Sequence, residues 1–150
     1  MCRSGSIVLC VVIVHMLGTT PLVAQDDDVR SAIEETLVAW NNGDHEEFCS
    51  YFMEQEQGFW LDGSVLDESF CDVEQQRASY EAGFQPSLQL RQVTVRVYGN
   101  FAVAAAYMVG TIALSPDQVL AGTWRYTEAR VKDEGKWKIV QWHFSALDPM

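Results

Sequence analysis

The stretch that decides the fold runs from Gly122 to Ser145 and reads GTWRYTEARVKDEGKWKIVQWHFS. On both sides of residues 133–135 its side chains alternate in character with a period of two, which is typical of β-strands. Residues 133–135 (DEG) have the composition of a turn, so the stretch predicts a β-hairpin. With a three-residue loop, Lys132 pairs with Lys136, and this pair sets the register of the whole hairpin.

In this register the two faces of the hairpin differ in chemistry. One face ends in five polar side chains: Arg125, Thr127, Gln141, His143 and Ser145. The opposite face ends in four aromatic side chains: Trp124, Tyr126, Trp142 and Phe144. We expect the polar face to line a pocket with an apolar base, and the aromatic face to be covered by a second subunit. A loop of two or four residues would instead place Arg125 and His143 on opposite faces.

The strand pattern extends upstream of the hairpin. Residues 87–97 alternate with a period of two, but the apolar parity changes near Gln92, which predicts a bulge or a sharp bend. Residues 98–101 (YGNF) predict a two-residue hairpin turn, and residues 115–117 (SPD) predict the next turn. The C-terminal half of the chain therefore predicts a run of long antiparallel strands.

The N-terminal half shows helical periodicity instead. One helix carries the apolar stripe Val29, Ile33, Leu37 and Trp40. Asp44 is expected to cap a second helix, whose buried face holds Phe48, Tyr51 and Phe52. Asp67 is expected to cap a third, with Phe70, Val73 and Tyr80 on one stripe. Helices followed by strands predict an α+β fold, a cone-shaped curved antiparallel sheet packed on three N-terminal helices.

The first residues have the features of a secretory signal peptide. Arg3 precedes an apolar run over 7–17, and residues 22–24 (LVA) form a small-residue cleavage site. The run is about half of the roughly 20 apolar residues that a membrane-spanning helix needs. We therefore expect a signal peptide over 1–24, an exported domain over 25–150, and a secreted or periplasmic location without stable membrane anchoring. A retained anchor is the alternative.

Charge and cysteine content narrow the classes of function. The chain has 21 acidic and 10 basic residues, which argues against a nucleic-acid partner because phosphates need clustered Lys and Arg. Cys2 and Cys10 fall in the signal peptide, so Cys49 and Cys71 are expected to form one disulfide in an oxidising compartment. Two buried free thiols are the alternative. No cofactor is indicated, nor a metal, since the two histidines of the exported domain lack zinc-ligand spacing.

Three segments carry a resemblance to a known family: AWNNGD (39–44), GTWRYT (122–127) and GKWKIVQWHFS (135–145). Together they resemble the SnoaL-like branch of the nuclear transport factor 2-like superfamily, roughly over residues 29–147. The resemblance implies a cone of helices and curved sheet that is often dimeric through the sheet. Members include ketosteroid isomerases, polyketide cyclases, dehydratases and many exported proteins with no known activity.

Two functions stay open at this point. The first is an exported homodimer that binds a small, largely apolar molecule with a polar or anionic end. Its predicted ligand-binding residues are Arg125, Thr127, Gln141, Ser145, Trp60 and Tyr80. The second is an isomerase, cyclase or dehydratase with acid–base chemistry at His143, because imidazole exchanges protons near neutral pH.

The choice between the two depends on a pocket carboxylate. Isomerase-type and cyclase-type relatives place an Asp or Glu in the pocket, whereas Glu128 falls on the outer face in the predicted register. The lack of an equivalent favours the binding function. A purely structural hydrogen-bond network of His143 and Ser145 is a further alternative.

Overall fold

The computed structural model describes residues 22–147. The elements are α1 (Leu22–Asn42), α2 (His45–Ser50), β1 (Phe52–Phe59), α3 (Val73–Glu81), β2 (Gln85–Tyr98), β3 (Phe101–Ser115), β4 (Gln118–Asp133) and β5 (Lys136–Ala146). The strands form one sheet in the order β1-β5-β4-β3-β2, antiparallel except for the parallel pair β1 and β5. The sheet is curved and unclosed, with the helices packed on it, which confirms the predicted α+β cone.

The predicted signal peptide lies outside the described residues except for its last three, which begin α1. No helix in the described part of the chain combines the length and the apolar character needed to cross a membrane.

The apolar stripe of α1 is buried as predicted and packs against the sheet. Asn41, near the end of α1, fixes the helix to β2. Its Nδ2 donates to the Leu88 carbonyl at 2.8 Å, and its Oδ1 accepts from the Leu88 N–H at 3.0 Å. These two bonds hold the C-terminal end of α1, with Trp40, over the concave side of the sheet.

The strands β2, β3 and β4 follow the prediction closely. Gln92 has a φ of 50° and lies in a register shift between Arg91 and Thr94, which is the predicted bulge. Tyr98 pairs with Phe101 across a two-residue turn. The turn at 115–117 connects β3 to β4 as expected.

The prediction for residues 51–72 is wrong in two places. The second helix ends at Ser50, so Phe52 starts β1, which the sequence analysis did not predict. The third helix starts at Val73, where the Asp72 side chain accepts from the Gln75 N–H at 2.9 Å. Residues 60–72 form an irregular connection, here named the mouth segment.

The mouth segment is held at two points, one near its middle and one near its end. Asp67 does not cap a helix; its backbone exchanges hydrogen bonds of 2.8 and 2.9 Å with Gly58 of β1. Cys71 forms a disulfide with Cys49 of α2, with a Cα–Cα distance of 5.1 Å, so the predicted pairing is confirmed. The disulfide ties the end of the mouth segment to the helical layer.

The β4–β5 hairpin has a different register from the predicted one. Asp133 pairs with Lys136, so the turn has two residues, and both have positive φ. A β-bulge follows in β5. Ala129 pairs with Gln141 and Arg130 pairs with Ile139, so Val140 has no partner on β4. Beyond this bulge the predicted pairs are displaced by two residues.

The displaced register leaves the polar and aromatic sets on separate faces, but the faces are the reverse of those predicted. Four aromatic residues are at most 9% exposed and lie in the core: Trp124, Tyr126, Trp142 and Phe144. The polar residues lie on the outer face: Arg125, Thr127, Gln141 and His143 exposed, and Ser145 half-buried. Burying a large apolar side chain stabilises the fold by about 1.5–3 kcal/mol, whereas a buried polar group needs a partner. The predicted polar lining and the predicted aromatic outer face are therefore wrong.

Candidate ligand-binding site

The helices and the concave side of the sheet enclose a cavity of about 30 Å³. Eight aromatic side chains line it: Trp40, Phe48, Phe52, Trp60, Phe70, Tyr126, Trp142 and Phe144. Such a volume holds a water molecule but is far below the roughly 300–1,000 Å³ of ligand pockets. The cavity as the structure shows it is therefore too small for a ligand larger than water.

Ring contacts explain how the cavity is closed. Trp40 of α1 stacks on Phe48 of α2 with ring centroids 5.6 Å apart. Phe70 lies 4.5 Å from Trp142, and Trp60 stacks on Phe144 at 5.3 Å. The wall thus joins β5, the helical layer and the mouth segment.

Gly58 of β1 makes room for this wall. A Cβ atom at this position would lie 2.2 Å from the indole ring of Trp142. Only glycine therefore lets the Trp142 ring lie directly against the β1 backbone.

One side of the cavity is polar and consists of a closed hydrogen-bond network. The Glu128 carboxylate accepts from Arg130 Nε at 2.5 Å and from the Tyr126 hydroxyl at 2.6 Å. Arg130 also donates to Thr36 Oγ1 and to the Trp137 carbonyl, both at 3.0 Å. Burial raises the pKa of the Tyr126 hydroxyl, and the Glu128 charge adds to this effect, so the phenol stays a neutral donor. Each polar side chain of the network thus has a partner within it.

A second buried carboxylate lies behind the wall. Glu56 of β1 accepts from Trp142 Nε1 at 2.7 Å and from the Cys71 N–H at 3.2 Å. Burial raises the pKa of Glu56, and these two hydrogen bonds oppose the rise. Glu56 therefore connects the cavity wall to the disulfide end of the mouth segment.

Trp60 and Phe70 separate the cavity from the outside. Both side chains also line an open depression of about 270 Å³ on the other side of the mouth segment. The two aromatic rings are thus the partition between a closed space and an open one.

Two of the predicted ligand-binding residues lie near the cavity. Trp60 lines it. Tyr80 is not among the lining residues; its hydroxyl donates to the Trp40 carbonyl, and its ring contacts Phe84 at 5.5 Å. Burial raises the pKa of the Tyr80 hydroxyl. Tyr80 therefore supports the end of α1 from outside the cavity.

The other predicted residues come together on the outer face, away from the cavity. Thr127 and His143 are paired neighbours, and with Gln141 they line an open groove of about 400 Å³. Arg125 pairs with Ser145 further along, and its Nη2 donates to the Ala146 carbonyl at 2.6 Å. Their placement inside the cone is wrong, and their roles in binding or catalysis stay predictions.

The polar side of the cavity is not among the features predicted from the sequence. Glu128 was expected on the outer face, yet it is buried with Arg130. The available signal was a Glu and an Arg two residues apart, which share one face of a strand and can pair there. The described residues hold no group of three or more His, Cys, Asp or Glu that could bind a metal ion.

A curved sheet packed on helices into a small cone defines the class of protein, and solved structures share this fold. A nuclear transport factor 2-like protein from Cytophaga hutchinsonii is 18% identical, with a TM-score of 0.69 over 82% of this chain and 98% of its own. One from Rhodospirillum rubrum, of unknown function in nutrient uptake, is 21% identical, with a TM-score of 0.70 over 81% and 100%. A ketosteroid isomerase-like protein from Erwinia carotovora atroseptica is 14% identical, with a TM-score of 0.66 over 83% and 98%.

The family model described as SnoaL-like domain matches residues 29–149. The chain therefore belongs to the SnoaL-like family, within the nuclear transport factor 2-like superfamily, and the predicted resemblance is confirmed. No curated protein matches the chain. At these identities the solved structures establish the fold alone.

Proposed function

We propose that this SnoaL-like domain is an exported binding module that holds a small, largely apolar molecule with a polar end inside the cone. The observation that supports it most is the chemistry of the cavity: aromatic walls around a polar side whose charges are already paired. Such a lining favours apolar contact with few orienting polar groups, as in ligand pockets generally.

Access to the cavity requires the partition to move. Rotation of Trp60 and Phe70 would join the cavity to the depression outside, so that a ligand extends from one space into the other. Both residues belong to the irregular mouth segment rather than to a strand or helix. Such connections rearrange more readily than the elements that they join.

The alternative, an isomerase, cyclase or dehydratase with His143 as acid or base, has less support. His143 lies on the outer face, where only an open groove is present beside it. Among the described lining residues of the cavity, Glu128 is the one carboxylate, and it is paired with Arg130. A general base needs a free acceptor within reach of the proton that it removes.

Native mass spectrometry of the protein purified from its own host tests the binding function. We expect a bound small molecule that is lost in Ile33→Phe, because Ile33 lines the cavity and the larger ring fills it. The matched control is Val119→Phe on an exposed position of β4, which should keep the ligand. Retention of the ligand by folded Ile33→Phe would move the site out of the cone.

Export is the second part of the proposal. The predicted signal peptide and the Cys49–Cys71 disulfide both support an oxidising compartment outside the cytoplasm. N-terminal sequencing of the mature protein should find Gln25 as the first residue. An N-terminus at Met1 would contradict cleavage.

The third part is a homodimer, in which a second copy covers the outer face of the sheet. That face exposes apolar side chains, with Phe59 42% exposed and Val103 38% exposed. SnoaL-like relatives often dimerise through the sheet, which supports a second copy of this chain as the partner that covers the face. Light scattering should find a dimer that Val103→Glu converts to a monomer, whereas Val65→Glu in the mouth segment should not. A monomeric wild type would contradict the dimer.

A further inference from the structure

The indole N–H of Trp40 has no hydrogen-bond acceptor within residues 22–147. Trp40 is only 6% exposed, so water outside the protein does not serve it either. The other buried polar side chains of the cavity lining, those of Thr36, Tyr126, Glu128, Arg130 and Trp142, have partners within the protein. Trp60 Nε1 has no partner in the described residues either, but Trp60 is only half-buried. Because a buried donor without an acceptor is destabilising, its presence in a cavity wall calls for an explanation.

We propose that Trp40 Nε1 is the donor that binds the polar end of the ligand. This inference rests on the proposed function and goes beyond it, because it assigns the anchoring atom and the chemical class of the ligand. An indole N–H only donates, so the ligand must present an acceptor, such as a carbonyl or ether oxygen. At its present volume, the cavity is large enough for one water molecule to take that place.

The charges around the cavity select a neutral acceptor. Arg130 is the one cation among the described lining residues, and its guanidinium is already paired with Glu128. A carboxylate ligand would be buried without a counter-charge, and it would share the cavity with the Glu128 carboxylate. The predicted polar or anionic end is thereby narrowed to an uncharged one.

The aromatic walls of the cavity and the space around it indicate the shape of the ligand. The rings of Trp60 and Phe70 lie edge-on to the Trp40 ring, with centroids 6.1 and 6.2 Å away. A flat ligand ring inserted between them and Trp40 would therefore pack against aromatic rings on both sides. The cavity and the adjoining depression together have room for one or two rings. The ligand class is therefore a small, neutral, ring-containing molecule with one hydrogen-bond acceptor.

Three probes of similar shape test this class: acetophenone, which is neutral with an acceptor, ethylbenzene, which has no acceptor, and benzoate, which is charged. Titrations are followed by calorimetry and by the indole N–H resonances in NMR spectra. We expect acetophenone to bind about three- to tenfold more tightly than ethylbenzene, the gain of one net hydrogen bond, and benzoate to bind more weakly than either.

Trp40→Phe keeps an aromatic ring and removes the N–H. It should abolish the preference for acetophenone over ethylbenzene, and the ratio of the two affinities is the readout because the smaller ring changes apolar contact with both probes alike. Trp137→Phe is the matched control, since Trp137 Nε1 is also buried without a partner in the described residues but does not line the cavity. If Trp40→Phe does not fold, the Trp40 resonance of the wild type decides, because it should move downfield with acetophenone only.

The outcomes separate this inference from the proposed function. Equal binding of acetophenone and ethylbenzene, or an unmoved Trp40 resonance, overturns the role of Trp40 while the cone site stands. Tightest binding of benzoate overturns the neutral class. Absence of binding by all three probes overturns the cone site and this inference with it.

Discussion

The two faces of the β4–β5 hairpin use adjacent residues for opposite purposes. Phe144 is buried against Trp60 and Trp124, while its neighbour His143 lies exposed beside Phe59. Arg130 is buried with Glu128, while Arg125 on the same strand reaches along the outer face to a backbone carbonyl. One strand pair thus carries both a packed interior and a polar exterior.

The difference shows what decides which face is inside. Alternation separates the two sets of side chains but does not orient them. The aromatic set goes inside because its burial is favourable by about 1.5–3 kcal/mol for each large side chain, and no hydrogen bond of an exposed Thr or His competes with that. A charged pair enters the interior only where each charge has a partner.

Comparing Phe144→Ala with His143→Ala is the most direct test of which face of the hairpin is buried. We expect Phe144→Ala to lower the free energy of unfolding by about 3–5 kcal/mol, because it leaves a cavity in the aromatic core. His143→Ala should change it by less than about 0.5 kcal/mol, as is usual for exposed side chains. Urea denaturation measures both. Similar losses in the two variants would contradict the assigned faces.

Arg130→Met against Arg125→Met tests the same contrast for charge. Removing the Arg130 guanidinium leaves Glu128 buried and unpaired, which should cost about 3–5 kcal/mol of unfolding free energy. Arg125→Met loses an exposed hydrogen bond and should cost less than about 1 kcal/mol. If adding Glu128→Leu to Arg130→Met restores no stability, the unpaired carboxylate is not the cause of the loss.

Replacing Cys49 and Cys71 by Ala should destabilise the protein and increase local opening of the mouth segment and α2, which the disulfide joins. A closed loop of this length stabilises by about 3 kcal/mol in the chain-entropy model, so thermal unfolding should occur at a lower temperature. Hydrogen exchange should quicken most in the mouth segment and α2, which open locally, and in β2 and β3 only as far as the loss of global stability requires. Equal acceleration in all four would show that the disulfide does not act on the mouth segment in particular.

Glu56→Gln tests the second buried carboxylate, Glu56, beside the paired Glu128. Its expected effect on the free energy of unfolding is the smallest of the four. Burial raises the pKa of Glu56 in the folded state, so its favourable contribution is complete below the unfolded value of about 4.3 and is lost as pH rises through the raised value. Unfolding free energies measured across that range should show the variant gaining on the wild type as pH rises. The Trp142 bond keeps an acceptor in Gln. A difference that does not vary with pH would contradict the raised pKa.

The sequence predicted those parts of the fold that have local signals. The stripe of α1, the bulge at Gln92 and the turn at 98–101 each depend on residues close together in the chain, and all are observed. Asp44 caps α2 as expected, and its carboxylate accepts a hydrogen bond from the Glu47 N–H. The disulfide followed from elimination of the other cysteines.

The rest depended on contacts between distant residues. β1 pairs in parallel with β5, and nothing within residues 52–59 indicates that partner. The hairpin register depended on a bulge at Val140 that no turn residue marks. Of the predicted ligand-binding residues only Trp60 lies in the cavity wall, because the choice of face had been made from polarity rather than from the volume of the rings.

The parallel pairing of β1 with β5 also dictates an order of events during synthesis. A ribosome adds about 5–20 residues each second, so α1, α2 and β1 emerge well before their last partner. Trp142 and Phe144 arrive with β5, which is inserted between β1 and β4 as the final strand. Contacts between such distant segments slow folding. A nascent chain that stops before Lys136 would have two additional unpaired strand edges, on β1 and β4, and an open aromatic core, and both are hazards for aggregation.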